Sequence, residues 1–468
     1  MKMKKSEFGI IGLGVMGGNL ALNVLDSDIS LSVYNRSAGS EADVVSDFLE
    51  ENSKYSHLKG FTNLETFVES LKAPRKILIM IKAGAAIDSV IDQLKPFLES
   101  EDILIDGGNS YYLDTERRIA YLQESNIYFI GCGISGGAEG ARRGPSMMPG
   151  GPKIAYDKLG HILERISAKD AAGNPCCTYI GPGGAGHYVK MIHNGIEYAE
   201  MQLLAEIYSI LRLTLPYEAI QTIFESWNSS NLKSFLLEIS TAILGAKEND
   251  SFVLDQILDK SGNKGTGFWS VRSGLELGLP TTMMSSALYA RFLSAFKEDR
   301  VAYSKKLAKP YKNYTKRNID DVKSSYEFAR IINHHQGFEI LREASEIHNW
   351  NLDLGEIARI WTNGCIIRSS LMEKLSDIFK TGNSILTEES FIQTLKTSEE
   401  KISNFIKLSM ADRIPVDCFW SAYNYWVSIT TENLPANLIQ AQRDFFGGHT
   451  YQRIDRPSEE FFHFNWTD

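Results

Sequence analysis

A glycine turn between a short apolar run and an apolar-periodic segment constrains this chain more than any other stretch. Phe8-Gly9-Ile10-Ile11 leads into Gly12-Leu13-Gly14-Val15-Met16-Gly17, and helical periodicity continues through Leu25. In such a strand–turn–helix the first glycine permits the tight turn and the second lets a pyrophosphate approach the backbone. The third lets helix pack on strand, and the helix N-terminus then faces the phosphates. Gly12, Leu13, Gly14, Val15, Met16 and Gly17 are therefore dinucleotide-binding candidates. The basic start, Met1-Lys2-Met3-Lys4-Lys5, imitates a secretory signal ahead of this apolar run. Asn19 and Asn23 interrupt the run, and the glycine motif explains it better.

Strand and helix patterns then alternate, which predicts a parallel sheet. Leu31–Tyr34 ends at Asn35-Arg36-Ser37, Lys76–Ile81 at Lys82, Asp102–Asp106 at Gly107-Gly108-Asn109-Ser110, and Ile127–Ile130 at Gly131–Gly137. Ligands of such sheets bind outside the carboxyl ends of the strands. Asn35, Arg36, Ser37, Ile81, Lys82, Ala83 and Asn109 are thus expected along a coenzyme cleft, with Ser135 at its mouth. An NAD site usually carries an acid about 20 residues past the glycines. Here Asn35 stands 18 residues after Gly17 and Arg36 follows. A guanidinium there suits the 2′-phosphate of NADP; the plain alternative is a surface arginine in a βα loop. Residues 140–151 read as a Gly/Pro-rich loop, with further strands expected at Lys153–Tyr156 and Cys177–Ile180 around a helix near 157–167. This Rossmann-like domain is expected to span residues 1–183.

From residue 184 the period changes, and an all-helical domain is expected to residue 435. The helical stretches are 187–213, 217–227, 231–244, 284–307, 318–348, 354–379, 387–409 and 417–433. In the first, Lys190, His193, Asn194 and Glu197 recur at the spacing of one helical face, beside Val189, Met191, Ile192 and Ile196. Taken alone, that stripe reads as the solvated face of an amphipathic helix. His334-His335 read as ordinary histidines. Ser261–Gly267 is a glycine loop carrying Lys264, without the residue order of a P-loop. Residues 436–468 form a tail in which Phe461, Phe462, Phe464 and Trp466 need a surface to cover them, and another subunit is expected to provide it.

A net charge of −9 argues against nucleic acid or an anionic membrane as the main partner. No run reaches the 18 or so apolar residues of a membrane span. The five cysteines include no CxxC, and the histidines no HExxH, so neither a disulfide framework nor a metal site is indicated. A reducing cytosol fits.

Together these stretches resemble 6-phosphogluconate dehydrogenase, a family within the β-hydroxyacid dehydrogenases. The matching segments are Gly12–Leu20, Asp106–Ser110, Ser135–Gly140, Gly184–Tyr198, Lys264–Gly267, Gly364–Ser369 and Leu434–Tyr451, in the family's order along nearly the whole chain. The resemblance implies a cytoplasmic enzyme of the pentose phosphate pathway and gluconate utilization. It would convert 6-phosphogluconate to ribulose 5-phosphate by NADP-dependent oxidative decarboxylation. It makes Lys190 the general base and Glu197 the general acid, with no metal. It makes Asn109, Ser135, Gly136, Gly137, His193, Asn194, Tyr198, Lys264, Arg291, Arg443 and His449 substrate-binding positions. Arg443 and His449 would come from the tail of the partner in a homodimer. Three features depart from the family's pattern. Ala138 stands where many relatives have an acid, Phe268 where a lysine is common, and Ser37–Ser40 lack an extra basic residue. The rival readings are another β-hydroxyacid dehydrogenase and an inactive NADP-binding scaffold.

Overall fold

The structure, a computed structural model, describes residues 4–262, 265–307 and 314–467. Its first part alternates strands and helices: β1 (Phe8–Ile11), α1 (Val15–Asp26), β2 (Leu31–Tyr34), α2 (Val44–Glu51), β3 (Leu58–Phe61), α3 (Leu64–Glu69), β4 (Lys76–Ile79), α4 (Ala85–Leu94), β5 (Ile103–Asp106), α5 (Tyr112–Gln123), β6 (Tyr128–Ser135), α6 (Gly137–Arg143), β7 (Ser146–Gly150) and α7 (Lys153–Ile166). The sheet order is β3-β2-β1-β4-β5-β6-β7. The first six strands run parallel and β7 returns antiparallel to β6. The order reverses between β1 and β4, the switch point at which such sheets open a crevice. Separate apolar cores cover the two faces of the sheet, one around Phe8, Leu20 and Leu163, the other around Phe67, Ile91 and Phe129.

Three expectations fail beside this sheet. Lys153–Tyr156 opens α7 instead of forming a strand. Pro152 precedes the first turn, and Ala155, Leu159, Ile162 and Ile166 bury one helical face. The supposed loop at 140–151 holds most of α6 and all of β7. Pro149 cannot donate to a ladder, which an outermost strand tolerates. Cys177–Ile180 forms no strand; its neighbourhood touches β7 only through isolated bridges, Met147 to Cys177 and Gly150 to Gly181.

The remainder is helical: α8 (Ala185–Leu211), α9 (Tyr217–Asn228), α10 (Phe235–Gly245), α11 (Val253–Gln256), α12 (Thr266–Glu276), α13 (Thr282–Ala295), α14 (Lys297–Leu307), α15 (Ile319–Ile347), α16 (Leu354–Ile360), α17 (Ser370–Lys380), α18 (Glu389–Ala411), α19 (Asp417–Ile429) and α20 (Ala436–Gly447). A small hairpin, β8 (Lys247–Glu248) and β9 (Ser251–Phe252), interrupts it. The single helix expected over 284–307 breaks at Phe296, and that over 354–379 is split by a loop at 361–369. α12 was not anticipated. None of the described helices is long and apolar enough to cross a membrane.

α8 is the axis of this part. Its 27 residues span about 40 Å at 1.5 Å per residue. Its first turns lie on β6 and β7, and α12, α13, α15 and α19 surround the rest. Such burial needs close backbone approach. A Cβ on Gly186 would overlap the carbonyl oxygens of Met148 and Gly131. One on Gly133 of β6 would collide with the Lys190 stem.

Candidate active site

The carboxyl ends of β1, β2, β4 and β5 border a cavity of about 1460 Å³. Gly12 has φ +95°, and a Cβ on Gly17 would overlap the Gly12 carbonyl, so both glycines are required by the turn. No side chain caps the start of α1. Its first turn borders the cavity and offers backbone N–H groups to an anion. Asn35, Arg36, Ile81, Lys82, Ala83 and Asn109 line the same cavity, as expected along one sheet edge. Ser37 does not: its hydroxyl donates to the Ala42 carbonyl at 3.1 Å. The Asn35 carboxamide accepts from Leu13 N at 3.0 Å, tying the end of β2 to the glycine turn. Arg36 is not free. Its Nε and Nη2 donate to the two Glu41 oxygens at 3.0 and 2.6 Å.

Asn109 is presented by a loop built around buried Asp106. That carboxylate accepts from Gly108 N at 2.9 Å, Ser110 Oγ at 2.6 Å and Arg118 Nη1 at 3.2 Å. Arg118 also donates to Asp88 at 2.8 Å and to the Gly84 carbonyl at 3.0 Å. One buried guanidinium thus couples the loop after β4 to the loop after β5.

The polar stripe of α8 is not a solvated face. Lys190 is 6% exposed, Asn194 6% and His193 0%, while the Glu197 side chain retains 20%. His193 is the hub. Its Nδ1 lies 3.2 Å from Lys190 Nζ, 3.2 Å from Asn194 Oδ1 and 3.6 Å from Glu197 Oε2. Its Nε2 lies 3.0 Å from Ser135 Oγ and 2.8 Å from Cys365 Sγ. Burial, reinforced by Lys190, pushes the imidazole well below its usual pKa, so the ring is neutral. The single proton of the neutral ring is directed at Ser135 and Cys365 when on Nε2 and at Asn194 Oδ1 when on Nδ1, and Nδ1 lies within hydrogen-bond reach of the Lys190 amine in both tautomers.

Burial also lowers the Lys190 pKa, against the opposing pull of Glu197 and Cys365. Glu197 moves the other way: burial raises it, while Lys190 and Arg291 oppose. Burial thus drives a lysine toward neutrality and a carboxyl toward protonation, two turns apart on one helix. Titratable groups whose environments push their pKa values apart are a signature of proton-transfer sites.

Ser135 ends β6, and Gly136, at φ +119°, caps α6. Gly136 and Gly137 thereby sit directly beside the hydroxyl that His193 engages. A Cβ on Gly136 would meet the Gly364 carbonyl, so this turn packs on the loop that carries Cys365. Tyr198 is buried beneath Arg291, whose guanidinium lies 3.4 Å from the ring centroid. Burial lowers the Arg291 pKa, with Tyr198 and Glu197 opposing. Lys264 falls outside the described residues. Arg443 donates to Gln440 at 3.0 Å and His449 packs beside Phe446. Among the described residues, no hydrogen bond or ring contact joins Arg443 or His449 to α8.

Sequence reasoning assigned no role to Cys365, Glu41, Tyr111 or Trp269. Tyr111, ahead of α5, and Trp269 of α12 line the cavity together, with ring centroids 5.0 Å apart. Their partners lie far away in the chain, so no local pattern announces them.

Residues 7–181 match the NAD binding domain of 6-phosphogluconate dehydrogenase, and residues 186–466 match the 6-phosphogluconate dehydrogenase C-terminal domain. The chain is 45% identical to the 6-phosphogluconate dehydrogenase, decarboxylating, of Lactococcus lactis subsp. lactis (strain IL1403), over 99% of each chain. It is 46% identical to the NADP(+)-dependent, decarboxylating enzyme of Bacillus subtilis (strain 168), over 99% of this chain and all of that one. The Plasmodium falciparum 6-phosphogluconate dehydrogenase superposes with a TM-score of 0.92 at 38% identity, covering 98% of this chain and 100% of that one. Its structures were solved in the apo form, with NADP+ and with 6-phosphogluconate. Paired domain matches and full-length similarity agree with the cleft and the stripe: the chain belongs to the 6-phosphogluconate dehydrogenase family.

Proposed function

We propose that the protein oxidises 6-phospho-D-gluconate with NADP and decarboxylates it to D-ribulose 5-phosphate and CO2, in the oxidative branch of the pentose phosphate pathway. The observation that carries this reading is the buried, base-shifted Lys190 held 3.2 Å from a neutral His193. The glycine turn, the uncapped start of α1 and the 1460 Å³ cavity fit a dinucleotide. NADP, when bound, supplies a nicotinamide ring that accepts the hydride from C3. Neutral Lys190 takes the C3 hydroxyl proton as that hydride leaves. As an ammonium it then returns that proton to the C3 oxygen as the bond to the carboxylate breaks, so that the released electron pair forms the C=C bond of a five-carbon enediol and CO2 leaves. Glu197 delivers a proton to C1 of this enediol while Lys190 takes back the proton of the hydroxyl that becomes the product ketone. His193, fixed by Ser135 and Cys365, holds the lysine amine in line, and Asn109, Asn194 and Tyr198 orient the substrate. Arg291 and Lys264 answer the negative charge of its carboxylate and phosphate.

The chain divides, in this reading, at the glycine stretch 181–184, into a coenzyme domain (1–183), a helical domain (184–435) and a tail (436–468). Two chains form a homodimer, each tail bringing Arg443 and His449 to the other's substrate. The enzyme works in the cytoplasm. The test is direct: protein mixed with NADP and 6-phosphogluconate is expected to raise absorbance at the reduced-nicotinamide band. No rise with either NADP or NAD disproves the reading.

A further inference from the structure

The coenzyme cleft holds a residue that the reaction does not use. Glu41 ends a short turn, Gly39–Glu41, just beyond β2, and borders the same cavity as Arg36. Both of its oxygens are engaged. Oε1 accepts from Arg36 Nη2 at 2.6 Å, and Oε2 accepts from Arg36 Nε at 3.0 Å and from Asn35 Nδ2 at 2.9 Å. Asn35 in turn is fastened to the glycine turn through Leu13 N. The carboxylate is therefore built into the end of β2, where a dinucleotide fold meets the adenosine ribose.

We infer that Glu41 determines coenzyme choice: it is a counterion for Arg36 that a 2′-phosphate must displace and to which a 2′-hydroxyl can donate. The inference rests on the dehydrogenase reading above for the identity of the ligand.

Three observations support it. The first is charge. Arg36 and Lys82 are the only basic residues lining the cavity among the described ones, and Lys82 follows β4 on the other side of β1. At the β2 end, Arg36 and Glu41 cancel. A phosphate monoester brings a charge of about −1.5 to −2, so it gains from Arg36 only after the bidentate pair opens, and it is repelled by the carboxylate. The second is sequence. Ser37, Ala38, Gly39 and Ser40 provide no other cation to take up the phosphate. The third is geometry. Sites selective for NAD carry a carboxylate at the end of this strand to accept from the ribose 2′-hydroxyl. Here that position holds the amide Asn35, and the same amide holds the Glu41 carboxylate beside it. An arginine suited to the 2′-phosphate and an acid suited to the 2′-hydroxyl thus occupy one corner of the cleft. With side-chain exposures of 72% and 35%, the pair is solvent-screened, so the effect is moderate and depends on salt.

The test uses coenzyme fragments and the full-length protein. 2′,5′-ADP and 5′-AMP differ only in the 2′-phosphate, and their binding requires no turnover. Calorimetric titration of wild type, Glu41→Gln, Glu41→Ala and Arg36→Met at low and high salt separates the contributions. Both Glu41 variants are expected to bind 2′,5′-ADP roughly three- to tenfold more tightly than wild type, with the gain shrinking at high salt. The ratio of 2′,5′-ADP to 5′-AMP affinity is expected to rise in the same variants and to collapse in Arg36→Met. Unchanged or weaker 2′,5′-ADP binding in both Glu41 variants overturns the inference, and so does wild-type discrimination in Arg36→Met. A wrong substrate assignment would instead show as absent turnover with 6-phosphogluconate, leaving these titrations intact.

Discussion

Lys190 and Glu197 titrate in a common environment with opposite consequences. Burial favours the neutral form of each, lowering the lysine pKa and raising the carboxyl pKa. The productive state has both neutral, so kcat/KM is expected to follow a bell. It climbs as rising pH removes the Lys190 proton and falls when Glu197 loses its own, the two limits belonging to the coupled pair. Glu197→Gln removes one limit. Its residual hydride transfer is expected to rise with pH to a plateau, without the alkaline decline. An alkaline decline retained in Glu197→Gln would show that another group sets that limb. The roles also separate by chemistry. Lys190→Met is expected to abolish hydride transfer, by at least about a hundredfold given the usual yield of a positioned base. Glu197→Gln should keep part of it and lose product formation. Single-turnover absorbance with product analysis distinguishes them, and equal, complete loss of hydride transfer in both removes the assignment.

At the scale of elements, the site depends on how closely α8 approaches β6. Gly133 lies under the Lys190 stem, with the Lys190 Cγ 3.0 Å and the Gly186 carbonyl 3.2 Å from where a Cβ would stand. Gly133→Ala is expected to cost about 1–3 kcal/mol in urea denaturation, as overpacked interiors do. It should lower kcat well beyond that loss, because the displaced atoms belong to the base. A variant with normal kcat would mean that α8 shifts without disturbing Lys190. Element types were legible where one period dominates: β1, β2, β4, β5, the start of β6, α1, α8 and α15 stand where periodicity puts them, whereas β3 at the sheet's edge was not anticipated. They were illegible where residues serve a neighbour. The Gly/Pro content of 140–151 concealed β7, whose Gly150 makes room for Gly186 of α8. α12 was hidden behind a glycine loop, although it supplies Trp269 to the cleft.

At the scale of the whole molecule, the tail stands out because its own residues tie it together. Its order comes from Asp444, which accepts from Thr450 N at 2.9 Å, Phe464 N at 3.2 Å, Trp466 Nε1 at 2.8 Å and His463 Nδ1 at 2.9 Å. Against the burial that would raise it, these donors hold the Asp444 carboxyl well below the usual range. The knot leaves Leu438, Ile439, Phe445 and Phe446 exposed by 58–72%. A contiguous apolar surface on an ordered scaffold is what an interface requires. The full chain is expected to sediment as a dimer, and truncation after Leu434 is expected to destroy activity. An active truncated monomer, found by sedimentation with a parallel assay, would refute the shared site.

The sequence by itself determined what lies in consecutive residues. The glycine turn, the arginine after β2 and the stripe on α8 each sit within one or two turns of chain, so spacing alone exposes them. Even there, spacing could not tell a solvated face from a buried one, because burial depends on what packs against it. Only the tertiary structure put Gly133 and Gly186 against each other and sealed Lys190 from water, and that burial lowers the lysine's pKa. It also brought Cys365 from 172 residues away to His193, and turned Glu41 back onto Arg36. Contacts across such separations leave no periodic trace in the chain. They follow from the close packing of α8 against the sheet, which the order of residues does not display.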